Sequence, residues 1–471
     1  MIHEPYTELP DLPDLPDPPA WREVKAKPRT PRPRVMRPAP TIADSVAAPS
    51  EDLIAQEFLA HDQDFRYVPP WGRWLHWDGM RWADDASALI LDRIRDFVRP
   101  RVSGSKVERT TANSSFVAGV ARLCAADQRV VIMPSALDAD PWALNTHSGI
   151  VDLRTGAIRD HDRAALCTRL TGCAIDPSEG NELWDSFLVD VTVGDLEMME
   201  YLQRVAGYFA SGMTSEDVLV YIIGIGANGK GTFAEACIHV LSDYGKVFSP
   251  EVLMEAKGER HPTEIAQLQG VRFALTSEPA SNAVWNDSRI KSLTGDTVIN
   301  ARVMRGDPFT FARTHKTMVI GNHMPRLAEV TNAIKRRVQI VPFRAVFTPG
   351  PGIGMRERLK AEAGGAILAW IIAGARKWLE SGTAPPEVVR EQTRSYLSDQ
   401  DLIGQWMDEC LTREKDASAR SADLHRSYSA WCDANGNRPK SNLKLTEHLV
   451  SLGVEKRQTM VGRVFYGLRI K

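Results

Sequence analysis

Lys230 is the residue whose neighbours specify a chemistry. It sits in the run Gly224-Ile225-Gly226-Ala227-Asn228-Gly229-Lys230-Gly231-Thr232, where glycines permit a tight turn and bring successive backbone N–H groups into one concavity. The residues before it, Val218-Leu219-Val220-Tyr221-Ile222-Ile223, are β-branched and aromatic enough for a buried strand. Thr232-Phe233-Ala234-Glu235-Ala236 then reopens as a helix. Strand, glycine loop, lysine and helix in this order make a phosphate-binding loop, in which the helix N-terminus adds positive potential. Gly224, Gly226, Asn228, Gly229, Lys230, Gly231 and Thr232 are therefore the candidate nucleotide-binding residues, with Lys230 reaching the β- and γ-phosphates. The usual pattern puts a Mg²⁺-binding hydroxyl directly after the lysine. Gly231 stands there, which leaves Thr232 to hold either the metal or only an α-phosphate.

A nucleotide-hydrolysing centre needs further groups, and the chain offers them in order. A second buried strand over 271–278 ends in Glu278, which predicts a carboxylate for Mg²⁺ coordination and for activating the attacking water. A third strand, Lys316–Gly321, delivers Asn322, a fixed amide suited to orienting that water. Arg336 and Arg337 precede another apolar run, Val338-Gln339-Ile340-Val341-Pro342-Phe343. In ring-shaped ATPases such an arginine reaches the neighbouring subunit's γ-phosphate, worth roughly 10³ or more in rate. Taken singly, a strand-end glutamate or a surface arginine pair is commonplace.

Together these motifs resemble superfamily 3 helicases of the AAA+ class, in particular the phage and plasmid primase-helicase group, over about residues 55 to 470. Lys291-Ser292-Leu293-Thr294-Gly295-Asp296-Thr297-Val298-Ile299-Asn300-Ala301-Arg302 is similar to the family's element between the acidic strand and the asparagine, which carries a hairpin contacting single-stranded DNA. The resemblance implies an ATP- and Mg²⁺-dependent homo-hexamer translocating on single-stranded DNA, with a separate primase and polymerase as partners. Phosphate-directed charge would come from Lys291, Arg302, Arg305, Arg313 and Lys316. Two departures are visible: Asn332 stands where the family often has an aspartate before the arginine pair, and Gly231 where serine is commonest. No primase-length region precedes the motifs, so primase activity is not expected of this chain. An origin-recognition or DNA-binding ATPase without unwinding activity, and a degenerate prophage remnant, are the alternatives.

These motifs require an α/β core and flanking domains. Residues 1–50 hold twelve of the 29 prolines and read as a disordered tail. Residues 51–180 read as an α+β helicase-associated module. Its tryptophan-rich hairpin around Asp78-Gly79 either buries an aromatic face or stacks on bases, core packing being the better reading. Residues 181–350 form the expected AAA+ P-loop core, opening with one helical stretch over 182–212. A helical lid over 351–400 follows, with helical period over 386–413, and then a winged-helix-like domain over 401–471. The last 36 residues carry eight Lys or Arg against two acids, which suits duplex origin DNA or a protein contact. Six cysteines without a C-x-x-C pair argue against zinc or a disulfide framework. A net charge of −2 demands that any DNA-binding surface be local. No leader or run of about eighteen apolar residues is present, so the expected location is the cytoplasm of a bacterial host.

Overall fold

The structure, a computed structural model, describes residues 49–103, 111, 113–178, 180–255, 263–280, 283–304, 306–327, 330–348, 354–459 and 462–471. The expected proline-rich tail lies outside them except for Pro49 and Ser50. Ser50 caps the first helix, Glu51–His61, by accepting from Leu53 N.

Five parallel strands form the central sheet in the order Val338–Pro342, Leu219–Ile223, Lys316–Gly321, Phe273–Ser277, Gly245–Val247. Strands buried on both faces read as continuous apolar runs, and Leu219, Val220, Tyr221 and Ile222 are fully buried. Their side chains alternate between two cores. Val220, Ile222, Leu275, Met318 and Val341 pack with helices Leu196–Ala210, Lys230–Leu241 and Gly364–Ser381. Leu219, Tyr221, Ala274, Val319 and Ile340 pack with helices Asp287–Gly295 and Glu387–Gln400 and the hairpin Val298–Arg302/Pro308–Ala312. Helices Leu196–Ala210 and Gly364–Ser381 approach so closely that a Cβ on Gly207 would lie 2.0 Å from Ala375 N.

The first core is continuous with the amino-terminal module. Leu144, Val151 and Leu153 share it with Phe233 and Val240. Arg272, wholly buried, donates to Ala143 O at 2.8 Å and Ala210 O at 2.9 Å, joining the module to the sheet. Within the module, Arg73–Trp77 pairs with Trp82–Asp84 across the Asp78-Gly79 turn. Trp82 is fully buried and Trp74 and Trp77 are half-buried, while Trp71, in the turn Pro69–Trp71 ahead of the hairpin, is 38% exposed.

Three elements differ from expectation. The stretch over 182–212 breaks into Asn181–Thr192 and Leu196–Ala210, because Val193 and Gly194 both adopt positive φ and Asp195 caps the second helix on Met198 N. The helical period over 386–413 stops at Cys410. Polar Leu411–Arg420 is a strand, paired with Gly462–Ile470, which also pairs Lys456–Thr459. Helices Ser421–Ala434 and Asn442–Ser451 complete that carboxy-terminal unit around Trp406, Tyr428, Leu449 and Phe465. Lastly, the acidic strand is shorter, Phe273–Ser277, and Gly245–Val247 extends the sheet beyond it. Among the described residues, no helix is long and apolar enough to cross a membrane.

Candidate nucleotide-binding site

In-register pairing decides which residues meet. Gly321 and Pro342 both lie opposite Ile223, and Ile320 opposite Ser277, so three strands and the loop strand end at one edge. Gly224, Glu278, Asn322 and Phe343 each follow one of those ends. Ligands of open parallel sheets bind outside the carboxyl ends of the strands. Glu278 N donates to Ile320 O at 2.8 Å, and its φ of 51° is a left-handed conformation that a non-glycine residue adopts at a cost. The chain bends sharply there, leaving an exposed carboxylate at the edge.

Lys230 stands at the centre of this edge. Its Nζ donates to Asn322 Oδ1 at 2.6 Å, and to Gly224 O and Asn228 Oδ1 at 3.3 Å each. Only 8% of the residue is exposed. Burial holds the ammonium below the usual lysine range, while the charge of Glu278 acts in the opposite direction. Asn228, expected to face the nucleotide, is instead buried at 1% exposure. Its amide donates to Phe343 O at 3.3 Å and its carbonyl accepts from Lys230, so it braces the loop from within. Gly224 makes that bracing possible, since a Cβ there would lie 1.5 Å from Asn228 Nδ2. Gly226 and Gly229 both have positive φ, as the turn requires. Thr232 lies in the first turn of helix Lys230–Leu241.

The arginine pair divides. Arg336 is 68% exposed along its side chain and 4.0 Å from Asp217. Arg337 is enclosed: its guanidinium donates to Asp217 Oδ2 at 2.8 Å, Ala333 O at 2.9 Å and Thr294 Oγ1 at 3.0 Å. Expected as a finger reaching a neighbouring subunit, Arg337 has its donors committed within its own chain. Asp217, which no motif contains, is thus the carboxylate that holds this segment where Asn332 is not one. Its partner is 120 residues away, so no local spacing signalled it.

The cations assigned to DNA divide likewise. Arg302 is exposed on the hairpin, its Nε donating to Gly306 O at 2.8 Å, and Lys291 is half-buried on helix Asp287–Gly295. Exposed Val303 and Met304 follow Arg302, and Arg305 lies outside the described residues. Lys316 is a correction. It is 1% exposed, and its Nζ donates to the carbonyls of Ser211 and Thr314 beneath the Tyr208 ring. Arg313, 6% exposed, donates to Asp296 O and Thr214 O. Both support the sheet and neither can reach a phosphate backbone. Groups of three or more metal-binding side chains are absent among the described residues.

Comparison with known proteins gives independent bearings. Residues 51–193 match a family described as D5 N terminal like, and residues 222–337 one described as a family of unknown function (DUF5906). The chain is 25% identical over 364 residues to a candidate helicase of Acanthamoeba polyphaga mimivirus, spanning 71% of this chain and 37% of that protein. It is 27% identical over 269 residues to a candidate helicase of Frog virus 3 (isolate Goorha), spanning 52% and 27%. The matches thus cover well under half of either relative. Among solved structures, the apo C terminal region of NrS-1 superposes with a TM-score of 0.50 at 8% identity, covering 90% of this chain and 100% of that one. At that identity the likeness concerns the fold.

Proposed function

We propose that this chain, which matches the D5 N terminal like family over residues 51–193 and is similar to the two viral candidate helicases, is an ATP-dependent DNA helicase of a phage, prophage or plasmid replication system, acting as a ring on single-stranded DNA. The observation that carries this reading is the 2.6 Å bond between Lys230 and Asn322 at the edge where Glu278 also emerges. The strand order, with the asparagine strand between the loop strand and the acidic strand, favours an AAA+ core of superfamily 3 type.

On this reading the loop N–H groups and Lys230 hold the β- and γ-phosphates. Glu278 accepts a proton from the attacking water, which Asn322 orients. Thr232 and Glu278 offer hard oxygen donors of the kind Mg²⁺ takes together with substrate phosphates. Bound there, the ion would neutralise charge developing on the transferred group. Arg336, exposed and beside a committed Arg337, is the residue free to reach the next subunit of a homo-hexamer. The hairpin bearing Arg302, with Lys291 below it, would track the strand. A separate primase and polymerase would complete the replication system.

The carboxy-terminal helix–strand–helix–helix–strand–strand order fits a winged helix. Its basic balance favours a second reading, an ATP-binding protein that recognises duplex origin DNA without unwinding it. Unwinding of a forked duplex with ATP, abolished by Lys230→Ala, would support the helicase. Tight ATP-modulated origin binding without unwinding would support the second reading.

A further inference from the structure

The loop is flanked by a cation that belongs to none of its motifs. Helix Met355–Glu362 packs on helix Lys230–Leu241, and Arg356 Nη1 lies 2.9 Å from Glu235 Oε1. Gly231 and Glu235 are i and i+4, one above the other on the same face of that helix. Glu235 therefore anchors one end of the guanidinium and the other end points up the helix toward the loop. A Cβ on residue 231 would lie 3.3 Å from Arg356 Nη2, a separation at which any side chain would crowd the arginine. The chain thus has an arginine donor where other phosphate-binding loops have a hydroxyl. A second contact ties the two helices together: Lys360 Nζ lies 3.4 Å from Glu235 Oε2. With its side chain 44% exposed, Arg356 keeps donors open to a ligand.

A guanidinium at a helix N-terminus, beside the ammonium of Lys230, opposes the local potential. Glu235, and Glu278 acting on Lys230, offset two of the three charges of Lys230, Arg356 and Lys360, and an anion bound at the loop would offset the rest. We infer that Arg356 is a phosphate-binding residue of this site, acting within its own chain, with Glu235 as the counter-ion that keeps its planar fork aimed at the nucleotide. An arginine fork takes two phosphate oxygens at once, which a lysine does not. The absence of a hydroxyl at residue 231 is then the space this side chain needs. This inference rests on the loop being a nucleotide site.

The test is equilibrium binding of fluorescent ATP and ADP analogues to the full chain, with thermal unfolding measured alongside. Arg356→Gln should weaken ATP binding tenfold or more, and Arg356→Lys should recover part of the loss. Glu235→Gln, which loses the counter-ion that aims the fork but keeps the guanidinium, should weaken binding by clearly less than Arg356→Gln does, and Gly231→Ser should weaken it. If the pair merely ties two helices together, Arg356→Gln and Glu235→Gln will lower the melting temperature alike and change affinity alike, and the inference fails while the loop still binds. Failure of the wild-type chain to bind either analogue would overturn the nucleotide-site reading and this inference with it.

Discussion

Lys230 Nζ and Asn322 Oδ1, 92 residues apart in sequence, are 2.6 Å apart in space. Adjacent parallel strands end together, and the bond joins the residue after one strand to the lysine that follows the other. With Gly224 O and Asn228 Oδ1 as further acceptors, all three ammonium protons are used. A phosphate entering the loop must therefore take a proton donor from one of these partners.

Replacing that partner separates two effects. Asn322→Asp puts a carboxylate against the ammonium, and this ion pair competes with the incoming phosphate, so ATP affinity should drop tenfold or more. Asn322→Ala removes the competitor and the water-orienting amide together; affinity should change little while kcat falls about 10²-fold, the size of losing one preorganised polar group. Dissociation constants and single-turnover rates distinguish the two. Equal affinities for Asn322→Asp and wild type would contradict the competition.

The arginine pair should show opposite phenotypes. Arg337→Ala strips Asp217, Thr294 and Ala333 of a shared buried donor and should cost about 2–4 kcal/mol of stability, seen in chemical denaturation. Arg336→Ala, at an exposed site, should cost about 0.5 kcal/mol or less yet reduce turnover roughly 10³-fold if it completes a neighbour's site.

Salt dependence reads out how many phosphates the hairpin neutralises. Arg302→Ala should lower the slope of log K against log salt by about 0.7 for each single-strand phosphate that the arginine no longer neutralises. Lys316→Met should leave that slope unaltered while changing stability, because its ammonium is sealed under Tyr208. A reduced slope for Lys316→Met would mean that the lysine does reach the strand.

Acid should weaken the fold through His315. Burial, then the nearby charges of Arg313 and Lys316, push its ring down to about 3, whereas an unfolded chain's histidine titrates near 6.5. Between those values the unfolded state binds a proton that the folded state does not, so this stability is intact above about pH 6.5 and is lost as pH falls toward 3. The melting temperature should fall less steeply from pH 7 to 5 in His315→Leu than in wild type. Parallel pH profiles would mean that His315 plays no part in acid sensitivity.

The strands and the loop were legible because Val220, Ile222, Val319 and Val341 are apolar on both faces and Gly224 to Lys230 punctuate them. Edge positions such as Glu278 and Asn322 followed from the same runs. Burial of charged side chains was not legible, since Lys316 and Arg337 look like surface cations in sequence and are enclosed with the help of segments as far as 105 and 120 residues away. The polar strand Leu411–Arg420 carries no apolar alternation, because only its ends face the core. Arg356 and Asp217 were missed for the same reason: each gains its role from a partner brought by the fold.

The central claim is an ATP-driven motor built on Lys230. Its most direct measurement is the ATP hydrolysis rate with and without single-stranded DNA, on protein whose oligomeric mass is determined in the same buffer, with Lys230→Ala as the reference. The account expects a ring-sized species whose turnover rises with single-stranded DNA and vanishes in the variant. Turnover by Lys230→Ala at the wild-type rate, or a wild-type ring that hydrolyses nothing with or without DNA, would contradict it.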